Sequence, residues 1–370
     1  MTGPILLAAG GTGGHLFPAE SLAAELKRRG LRVELVTDTR ALTYGGSFPA
    51  DAIHTISAAT PTGGSLASKA RAALMLGRGT LEALALLRRI KPACVVGFGG
   101  YPTVPPLVAA RILRVHSVLQ EQNAVIGRAN RFLAQGVDAI ATGFATLSGA
   151  GVSLLSKAKH TGNPVRPAVI AAAATPYPSF DGDKLRLLVT GGSQGARIMS
   201  DVVPAAIALL PRDVQARLVI VQQARGEDEA RVRAAYEALG LQAEVAPFFK
   251  DLPGRIAAAH LVIARSGAST VSELAVIGRP AILVPFPFAV DQDQAANAAQ
   301  LKASGAVDVV PQTEFNPAWL AAALGRAAFD PEGLTRRAEA AKSAGIANAA
   351  ERLADLVIRV AGLGAAEITE

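Results

Sequence analysis

The sequence predicts an α/β protein built from two doubly wound, parallel-sheet domains. The apolar run "PILLAA" leads into the glycine-rich "GGTGGH", a helical pattern and a second apolar run, which is the order strand, turn, helix, strand. The same order returns in "LRLLVTGGSQGARIMSDVVPAAIALLPRDVQARLVIVQQ". Half of the chain is hydrophobic and only 5% is aromatic. Strands that alternate with helices favour parallel sheets with right-handed crossovers.

Each half also contains a later copy of this plan, "ACVVGFGGYPTVPPLVAARI" in the first and "HLVIARSGASTVSELAVIGRP" in the second. A segment rich in proline and alanine, 164–182, separates the halves, so we expect domains at 1–163 and 164–345. Ligands are expected in a cleft between them, at the strand ends. The remaining segment, 346–370, has the spacing of an amphipathic helix and is expected to pack back toward the first domain.

Composition excludes several classes of protein. Cys94 is the only cysteine, so neither a disulfide framework nor a cysteine-based zinc site can form. The first residues lack the basic segment and cleavage site of a secretory signal. The best uncharged membrane candidate, 92–110, contains four prolines and cannot form a spanning helix. We therefore expect a soluble, cytoplasmic protein.

The charge of the chain is uneven. The net charge is +7, and residues 1–163 carry 17 Lys and Arg against 8 Asp and Glu, whereas 164–370 carry 20 against 22. The first half is therefore expected to face an anionic partner, which can be nucleic acid, acidic lipid or a phosphorylated substrate. The low aromatic content argues against nucleic acid.

The opening glycine loop has three interpretations. A dinucleotide site with Asp38 as ribose acceptor needs a third glycine where Leu16 stands, and a phosphate loop needs a lysine that is absent. A tight turn without a binding role is the third. His15, in the first turn of the predicted helix, favours a functional loop, because a histidine kept neutral by a helix terminus can act as a general base.

The turn "GGSQG", 191–195, matches the G-x-S-x-G pattern of hydrolases, with Ser193 as nucleophile. That interpretation requires His260, the only later histidine, which begins an apparent strand instead of lying in a loop. A serine in a phosphate-binding turn is the better interpretation.

The two carboxylates of "DQDQAANAA", from Asp291, could hold a divalent metal, but such pairs are common at solvated helix starts, and no metal is predicted.

Seven motifs in a common order resemble the MurG family of bacterial peptidoglycan synthesis. Over roughly residues 5–310 they are "GGTGGHLFPA", "GFGGYPTVPP", "QEQNAVIGRANR", "TGNPVRP", "GGSQGAR", "ARSGASTVSELAVIGRPAILVPFP" and "DQDQAANA". The resemblance implies the GT-B architecture, in which two Rossmann-like domains face each other across a cleft. It also implies that N-acetylglucosamine (GlcNAc) passes from UDP-GlcNAc to undecaprenyl-pyrophosphoryl-MurNAc-pentapeptide (lipid I), which becomes lipid II, without a cofactor.

The resemblance further implies a donor site in the second domain. Ser193 and its turn would bind the diphosphate, and Phe249 would flank the uracil. Glu273 would bind the ribose hydroxyls and Gln294 those of GlcNAc. The other matched substrate-binding positions are Thr12, Gly13, Gly14, Asn123, Arg166, Ala268, Ser269 and Thr270.

Two of these roles have independent chemical support. A carboxylate such as Glu273 can accept from two vicinal hydroxyls, although it could equally serve as a charge near a helix start. The fork of Arg166 suits phosphate, although an arginine between prolines at a domain junction could simply be solvated. The sequence departs from the family at "GAST", where "GALT" is usual, and at Gln120, where a histidine usually precedes "EQN". No acceptor contact is therefore assigned to Gln120.

The implied reaction converts an α-linked donor sugar into a β-1,4 linkage, so it inverts C1. Inversion needs a base on the acceptor hydroxyl and stabilisation of the departing UDP. His15 is the candidate base, and Glu121 is a second candidate for proton transfer. Helix N-termini after the glycine loops can take the diphosphate charge without a metal. The alternative function is another UDP-sugar enzyme of this architecture, such as a UDP-GlcNAc 2-epimerase or a different lipid glycosyltransferase.

A lipid acceptor requires contact with a membrane that the chain does not span. Residues 66–91 carry six basic residues and one acidic residue, so we expect peripheral attachment to the anionic cytoplasmic face of the inner membrane, with Leu74, Met75 and Leu76 inserted. The other interpretation of this stretch is two solvated helices whose Leu84 and Leu87 face the core. The expected partners are UDP-GlcNAc, lipid I and this membrane surface, and nucleic acid is not expected; protein partners cannot be read from the sequence.

Overall fold

The computed structural model describes residues 3–10, 13–38, 48–59, 66–192, 195–289 and 293–364. The chain divides into two compact units. Unit 1 comprises Met1–Arg166 and Ala347–Glu370, and unit 2 comprises Pro167–Ile346. The chain thus leaves unit 1 just beyond the boundary expected from the sequence and returns to it for its final segment.

The described part of unit 1 contains a seven-stranded parallel sheet. Its strands are β1 (Ile5–Ala8), β2 (Val33–Thr37), β3 (Ala52–Thr55), β4 (Cys94–Gly97), β5 (Ser117–Glu121), β6 (Ala139–Thr142) and β7 (Ala158–His160). They lie in the order β3-β2-β1-β4-β5-β6-β7. Every residue of β1 is buried, as expected of a parallel strand covered on both faces. The strand order reverses between β1 and β4, which leaves a crevice at the carboxyl ends of these two strands.

The first helices of the chain cover this sheet. They are α1 (Gly13–Arg28), α2 (Leu66–Ile90), α3 (Val104–Leu113), α4 (Arg128–Leu133) and α5 (Val152–Leu155). Helix α1 has the paired basic residues Lys27 and Arg28 in its last turn, where cations favour the helix dipole. The sequence-predicted order strand, glycine turn, helix, strand corresponds to β1, α1 and β2.

Helix α2 is one continuous helix of 25 residues. A Cβ at Gly79 would lie 1.9 Å from the carbonyl oxygen of Ser57, so this glycine allows the helix to approach the chain that follows β3. Glu82, one turn later, accepts a hydrogen bond from the backbone nitrogen of Ser57 at 2.7 Å. The interpretation of 66–91 as two helices is therefore wrong. The expectation that the leucines of this stretch face the core is confirmed, because Leu87 is buried in the core and Leu84 packs against it.

Unit 2 repeats the architecture with a six-stranded parallel sheet in its described residues. The strands are β8 (Leu185–Thr190), β9 (Leu218–Gln223), β10 (Ala243–Ala246), β11 (Leu261–Ala264), β12 (Ala281–Leu283) and β13 (Val307–Val309). Their order, β10-β9-β8-β11-β12-β13, reverses between β8 and β11. The helices are α6 (Pro167–Ala173), α7 (Arg197–Ala208), α8 (Arg212–Gln215), α9 (Gly226–Ala238), α10 (Leu252–Ala258), α11 (Ala268–Ile277), α12 (Asp293–Ala303), α13 (Pro317–Ala327) and α14 (Pro331–Ala344).

The last helix, α15 (Ala349–Val360), belongs to unit 1 and packs against α1. Leu353 and Val357 are fully buried in the core that also contains the apolar face of α1. Arg29 at the end of α1 forms an ion pair with Asp355 and donates to the carbonyl oxygen of Glu351. A segment distant in sequence therefore completes the core of unit 1.

Unit 2 contains a buried arginine that joins several helix ends. Arg279 is 1% exposed. It donates from Nε to the carbonyl of Ala257, from Nη1 to that of Ile277 and from Nη2 to that of Pro176, each at 3.0 Å. These carbonyls end α10 and α11 or follow α6, where helix geometry leaves them without backbone donors. Burial lowers the pKa of Arg279 to about 10, which still leaves it charged at neutral pH.

We expect Arg279→Met to lower the free energy of unfolding of unit 2 by about 2–4 kcal/mol, because several buried carbonyls would lose their donor. Trp319 is the only tryptophan in the chain and packs against the core of unit 2, so urea unfolding followed by its fluorescence reports on this unit. Arg336→Met, at an exposed position of α14, is the control and should change the unfolding free energy by less than about 0.5 kcal/mol. Equal stability of Arg279→Met and the parent would contradict the assignment.

Candidate active site

The loop after β1 enters α1 where the strand order of unit 1 reverses. The helix begins at Gly13, and His15 lies in its first turn. The first backbone N–H groups of a helix have no partner within it, so this turn can bind an anion or a polar ligand. Gly14 is exposed here, whereas Gly13 is buried. Thr12, a predicted donor contact, lies outside the described residues.

Two glycines of the loop after β4 lie against the His15 ring. Gly99 and Gly100 have φ angles of +87° and +74°, a region that favours glycine. A Cβ at Gly99 would lie 3.3 Å from Cε1 of His15, and one at Gly100 would lie 3.3 Å from Cδ2 and Nε2. This contact was not predicted from the sequence. The pairing of β1 with β4, which sets the two loops side by side, is the signal that could have revealed it.

The environment of His15 favours a neutral ring. Its Nδ1 lies 3.2 Å from Oε1 of Gln122, the residue that follows β5. Burial lowers the pKa of His15, while the Gln122 hydrogen bond and the backbone carbonyl of Phe98 partly oppose this shift. A lowered pKa keeps the imidazole unprotonated near pH 7, as a general base must be. Gln122 was not identified from the sequence.

Glu121, the second candidate for proton transfer, is 1% exposed at the end of β5. Its Oε1 accepts from the backbone nitrogen of Asn123 at 2.9 Å. Its Oε2 accepts from the backbone nitrogen of Gly127 at 2.9 Å and from Nδ2 of Asn130 at 2.8 Å. Burial raises the pKa of Glu121, and these hydrogen bonds oppose that shift. The carboxylate therefore anchors the loop that carries the half-buried Asn123.

Arg166 lies in unit 1, beside the first turns of α1, although the sequence assigned it to the donor site. Its guanidinium carbon is 4.4 Å from the centre of the Phe17 ring, a cation–π contact. A Cβ at Gly13 would lie 2.9 Å from Cε2 of Phe17, so this glycine makes room for the ring. Burial raises the pKa of Glu20 on the same helix, and the charge of Arg166 opposes the shift. The arrangement holds a positive charge near the opening loop.

The turn after β8 is the corresponding feature of unit 2. A Cβ at Gly191 would lie 2.2 Å from the backbone nitrogen of Ala196, so the turn closes on itself only with glycine there. Oε1 of Gln223 accepts from the backbone nitrogen of Gly191 at 3.0 Å. Arg225 donates to the carbonyl of Gly195 at 3.3 Å and so brings a cation to this turn. Arg225 was not predicted from the sequence. Ser193 and Gln194 lie outside the described residues.

Helix α11 begins beside this turn, because β11, which precedes it, pairs with β8. Ala268 is buried at its start, and Ser269 and Thr270 are half-buried in its first turn. Glu273 follows, 6% exposed. Burial lowers the pKa of Arg265, just before the helix, to about 10, with a further contribution from the charge of Arg225. Positive charge and helix N–H groups therefore share this end of the sheet.

Two other predicted donor contacts have defined surroundings. Oε1 of Gln294, in the first turn of α12, accepts from the backbone nitrogen of Phe286 at 3.0 Å. Phe249 is buried, and the guanidinium carbon of Arg255 lies 4.2 Å from the centre of its ring. Arg255 thus covers the ring that was expected to flank uracil. Asp291 of the carboxylate pair lies outside the described residues, among which no group of three or more His, Cys, Asp or Glu could hold a metal.

The hydrolase interpretation fails at His260. This residue is fully buried, and its Nδ1 accepts from the backbone nitrogen of Arg186 at 2.9 Å. Its Nε2 lies 3.1 Å from the carbonyl oxygen of Ser179, and its ring stacks on Phe180 with 4.0 Å between the ring centres. Both nitrogens are engaged with backbone, so His260 cannot act as the base of a catalytic serine.

Comparisons with known proteins identify the family. Residues 5–142 match the N-terminal domain of glycosyltransferase family 28, and residues 186–353 match its C-terminal domain. A protein of Methylorubrum populi named UDP-N-acetylglucosamine–N-acetylmuramyl-(pentapeptide) pyrophosphoryl-undecaprenol N-acetylglucosamine transferase is 60% identical over 359 residues, which cover 96% of this chain and 97% of the relative. The chain belongs to glycosyltransferase family 28.

Solved structures agree with the family 28 assignment. The MurG of Acinetobacter baumannii has a TM-score of 0.77 and 27% sequence identity, covering 96% of this chain and 99% of its own. A UDP-GlcNAc 2-epimerase from Neisseria meningitidis has a TM-score of 0.67 at 14% identity, covering 96% of this chain and 99% of its own, which shows a shared fold alone. The resemblance to the MurG family and the GT-B fold class predicted from the sequence are confirmed.

The predicted family 28 site residues fall into two groups. Gly13, Gly14, His15, Glu121, Asn123 and Arg166 lie in unit 1, and Phe249, Ala268, Ser269, Thr270, Glu273 and Gln294 lie in unit 2. Within unit 1, His15 is in direct contact with Gln122, the neighbour of Glu121 and Asn123. The substrate contacts of these residues remain predictions.

We expect Glu121→Gln to loosen the loop that carries Asn123, and we do not expect it to remove the catalytic base. The NH₂ of the new amide would face donors on either side, so either the backbone nitrogen of Asn123 or both the backbone nitrogen of Gly127 and Nδ2 of Asn130 would lose their acceptor, at a cost of about 1–3 kcal/mol. Hydrogen exchange of the Asn123 and Gly127 amides should become about tenfold faster or more. The acid limb of the pH dependence of turnover, which is expected from His15 as the candidate base, should not move.

The control for this change is Glu82→Gln. Glu82 also accepts from a backbone nitrogen, that of Ser57, but on α2. It should increase hydrogen exchange at Ser57 and leave turnover within about twofold of the parent, as surface-helix changes usually do. Loss of the acid limb in Glu121→Gln with unchanged amide exchange would instead identify Glu121 as the base.

Proposed function

We propose that this family 28 glycosyltransferase transfers GlcNAc from UDP-GlcNAc to the C4 hydroxyl of MurNAc in lipid I and so forms lipid II. The observation that carries the proposal is the half-buried His15 at the strand reversal of unit 1, whose Nδ1 lies 3.2 Å from Oε1 of Gln122 and whose pKa is lowered by desolvation, in a chain 60% identical to a relative named for this transfer. A neutral imidazole at a ligand-binding edge is suited to deprotonate a hydroxyl.

His15 acts as the base in this mechanism. Its ring takes the proton of the acceptor hydroxyl while the hydroxyl oxygen attacks C1 of GlcNAc from the face opposite UDP. The bond from C1 to the diphosphate oxygen breaks, and its electron pair leaves with UDP. The turn after β8, the N-terminus of α11 and Arg225 stabilise the charge on the diphosphate.

The donor contacts belong to unit 2. The carboxylate of Glu273, buried one turn into α11, accepts hydrogen bonds from the ribose hydroxyls. The half-buried hydroxyls of Ser269 and Thr270 serve the sugar and phosphate. Gln294, whose Oε1 is held by the backbone of Phe286, has its NH₂ group to donate to GlcNAc hydroxyls.

A UDP-GlcNAc 2-epimerase is the alternative on the same fold, since solved epimerases resemble the chain in architecture. The lower identity, 14% against 60%, disfavours it. An epimerase also has no need of a membrane surface, whereas the exposed apolar and basic residues of α2 suit a lipid acceptor.

One assay tests the proposed function. With UDP-GlcNAc and a short-chain lipid I analogue, we expect disaccharide-lipid, and His15→Ala should lower kcat by about 10²–10⁴, the usual effect of losing a positioned base. His116→Ala, at an exposed histidine of unit 1, is the matched control and should keep kcat within about twofold. Formation of N-acetylmannosamine without acceptor glycosylation would overturn the function, and a His15→Ala variant with parental kcat would overturn the mechanism.

The membrane surface proposed for unit 1 lies on α2 and its neighbours. Leu74 and Leu81 on α2 are 76% and 69% exposed, while Met75 and Leu76 are half-buried. Helix α3 packs on α2 and exposes Ile112. Exposed basic residues flank these apolar side chains and are Lys69, Arg71, Arg78, Arg111 and Arg114. None of the helices in the described ranges has the length and hydropathy required to cross a membrane.

This combination supports peripheral attachment to the anionic cytoplasmic face of the inner membrane, where lipid I would be reached. Each basic residue near such a surface contributes about 1 kcal/mol, which salt screens over about 10 Å. Apolar side chains that enter the interface add a contribution that salt does not remove. Attachment should therefore weaken with salt without vanishing.

We expect Lys69→Glu/Arg71→Glu to reduce binding to phosphatidylglycerol vesicles about tenfold or more at low salt and little at high salt. Leu74→Ser/Leu81→Ser should instead reduce the binding that persists at high salt. Co-sedimentation with vesicles measures both. Acidic residues near the start of α2 suit the helix dipole, so the first variant should fold normally.

The matched control for the charge change is Lys302→Glu/Arg336→Glu, which alters the net charge equally at exposed positions of unit 2. It should bind vesicles like the parent. Turnover of a soluble acceptor should stay within about twofold in all variants. Equal vesicle binding by the unit 1 variants and the control would contradict the proposed surface.

A further inference from the structure

Three buried amide side chains connect His15 with the ends of neighbouring strands. Gln120 lies in β5, Gln122 follows it, and Asn163 follows β7; they are 0%, 3% and 5% exposed. No role is predicted for Gln120 from the sequence, since it stands where the family usually has a histidine. Its burial removes it from contact with an acceptor and makes it part of this chain of amides.

Backbone carbonyls determine how the amides point. Nδ2 of Asn163 donates to the carbonyl oxygen of Gln122 at 2.8 Å, so Oδ1 of Asn163 accepts from Nε2 of Gln120 at 3.0 Å. Oε1 of Gln120 in turn accepts from Nε2 of Gln122. The same Nε2 donates to the carbonyl oxygen of Phe98 at 2.7 Å. A carbonyl oxygen can only accept, so each amide nitrogen is identified by its partner.

The oxygen of Gln122 must then face the histidine. Its Oε1 lies 3.2 Å from Nδ1 of His15. Rotating this amide by half a turn would set its oxygen against two other acceptors, those of Phe98 and Gln120, in a buried site where unpaired acceptors are costly. Since Oε1 can only accept, Nδ1 carries the hydrogen. A neutral imidazole with its hydrogen on Nδ1 has its lone pair on Nε2.

We propose that Gln122, oriented by Phe98, Gln120 and Asn163, is a positioning residue that fixes neutral His15 as the Nδ1–H tautomer and leaves Nε2 as the proton acceptor. This inference rests on the proposed function, in which His15 is the base. Without Gln122 the ring could also carry its hydrogen on Nε2, and that fraction of molecules could not take a proton there.

A glycine makes room for the far end of the amide chain. A Cβ at Gly143, the residue after β6, would lie 2.1 Å from Oδ1 of Asn163. The backbone nitrogen of Gly143 donates to the carbonyl oxygen of Glu121 at 2.8 Å, which continues the pairing of β6 with β5. The position of Asn163, and with it the orientation of Gln120, therefore depends on a residue without a side chain.

The test combines ¹⁵N NMR of the histidine side chains with steady-state kinetics on the full chain. In the parent, His15 should show a protonated Nδ1 and an unprotonated Nε2. Gln122→Met has a similar length and no polar amide, so it should shift His15 toward the Nε2–H tautomer and lower kcat about 10–100-fold. The donor KM should stay within about twofold, because Gln122 has no proposed donor contact.

Two further variants separate positioning from general damage. Gln120→Met leaves Gln122 held by Phe98, so it should shift the tautomer less and lower kcat less than Gln122→Met does. Gln215→Met removes a buried amide of unit 2 that donates to the carbonyls of Ile207 and Leu210. It should change neither the His15 tautomer nor kcat beyond about twofold.

A double variant completes the design. In a His15→Ala background, Gln122→Met should cause no further loss of kcat, because its effect acts through the ring. An unchanged His15 tautomer in folded Gln122→Met, or in Gln120→Met if the first variant does not fold, would overturn the proposal. A parental kcat for His15→Ala would overturn the base assignment, while the NMR result would still decide whether Gln122 sets the tautomer.

Discussion

Parallel strands bring their carboxyl ends to one edge of a sheet, and a reversal of strand order makes one point on that edge a crevice. In unit 1 the pairing of Ala8 with Gly97 sets the loop after β1 beside the loop after β4, so His15 meets Gly99 and Gly100. In unit 2 the pairing of Ala264 with Thr190 sets the glycine turn after β8 beside the start of α11. In each unit, the placement of the candidate site residues depends on that unit's own strand pairing more than on the sequence of any one loop.

The same constraint explains what could be predicted from the sequence. Strands, glycine turns and helices such as β1, α1 and β8 followed from local periodicity, and His15 followed from its place in one loop. The alternative interpretation of 66–91 as two helices is wrong, and the glycine at position 79, which makes room for Ser57, reflects a contact with a distant part of the chain. Gln122 carried no local signal, since its role depends on Phe98 and His15. Most donor contacts came from family resemblance, and only the glycine turn with Ser193 and the chemistry of Glu273 and Arg166 gave them support of their own.

The two central histidines show that residue type does not determine chemistry. Both His15 and His260 have pKa values lowered mainly by burial. Both ring nitrogens of His260 contact backbone groups, and the ring stacks on Phe180, so it contributes to packing. His15 meets the side-chain amide of Gln122 at Nδ1, and its opposite edge lies against the bare backbone of Gly99 and Gly100. The difference lies in the partners, which only the fold supplies.

The return of the chain for α15 has a consequence for its biosynthesis. The residues of unit 1 up to Arg166 emerge from the ribosome well before Ala349–Val360, which contributes Leu353 and Val357 to the same core. At about 5–20 residues per second, the part of unit 1 that ends at Arg166 waits roughly 10–40 seconds after its own synthesis for the helix that covers the apolar face of α1. During this interval unit 2 can be completed first. The nascent chain therefore exposes an apolar surface that chaperones can bind. A ribosome that stalls late in the message would release a protein with a complete second unit and an incomplete first one.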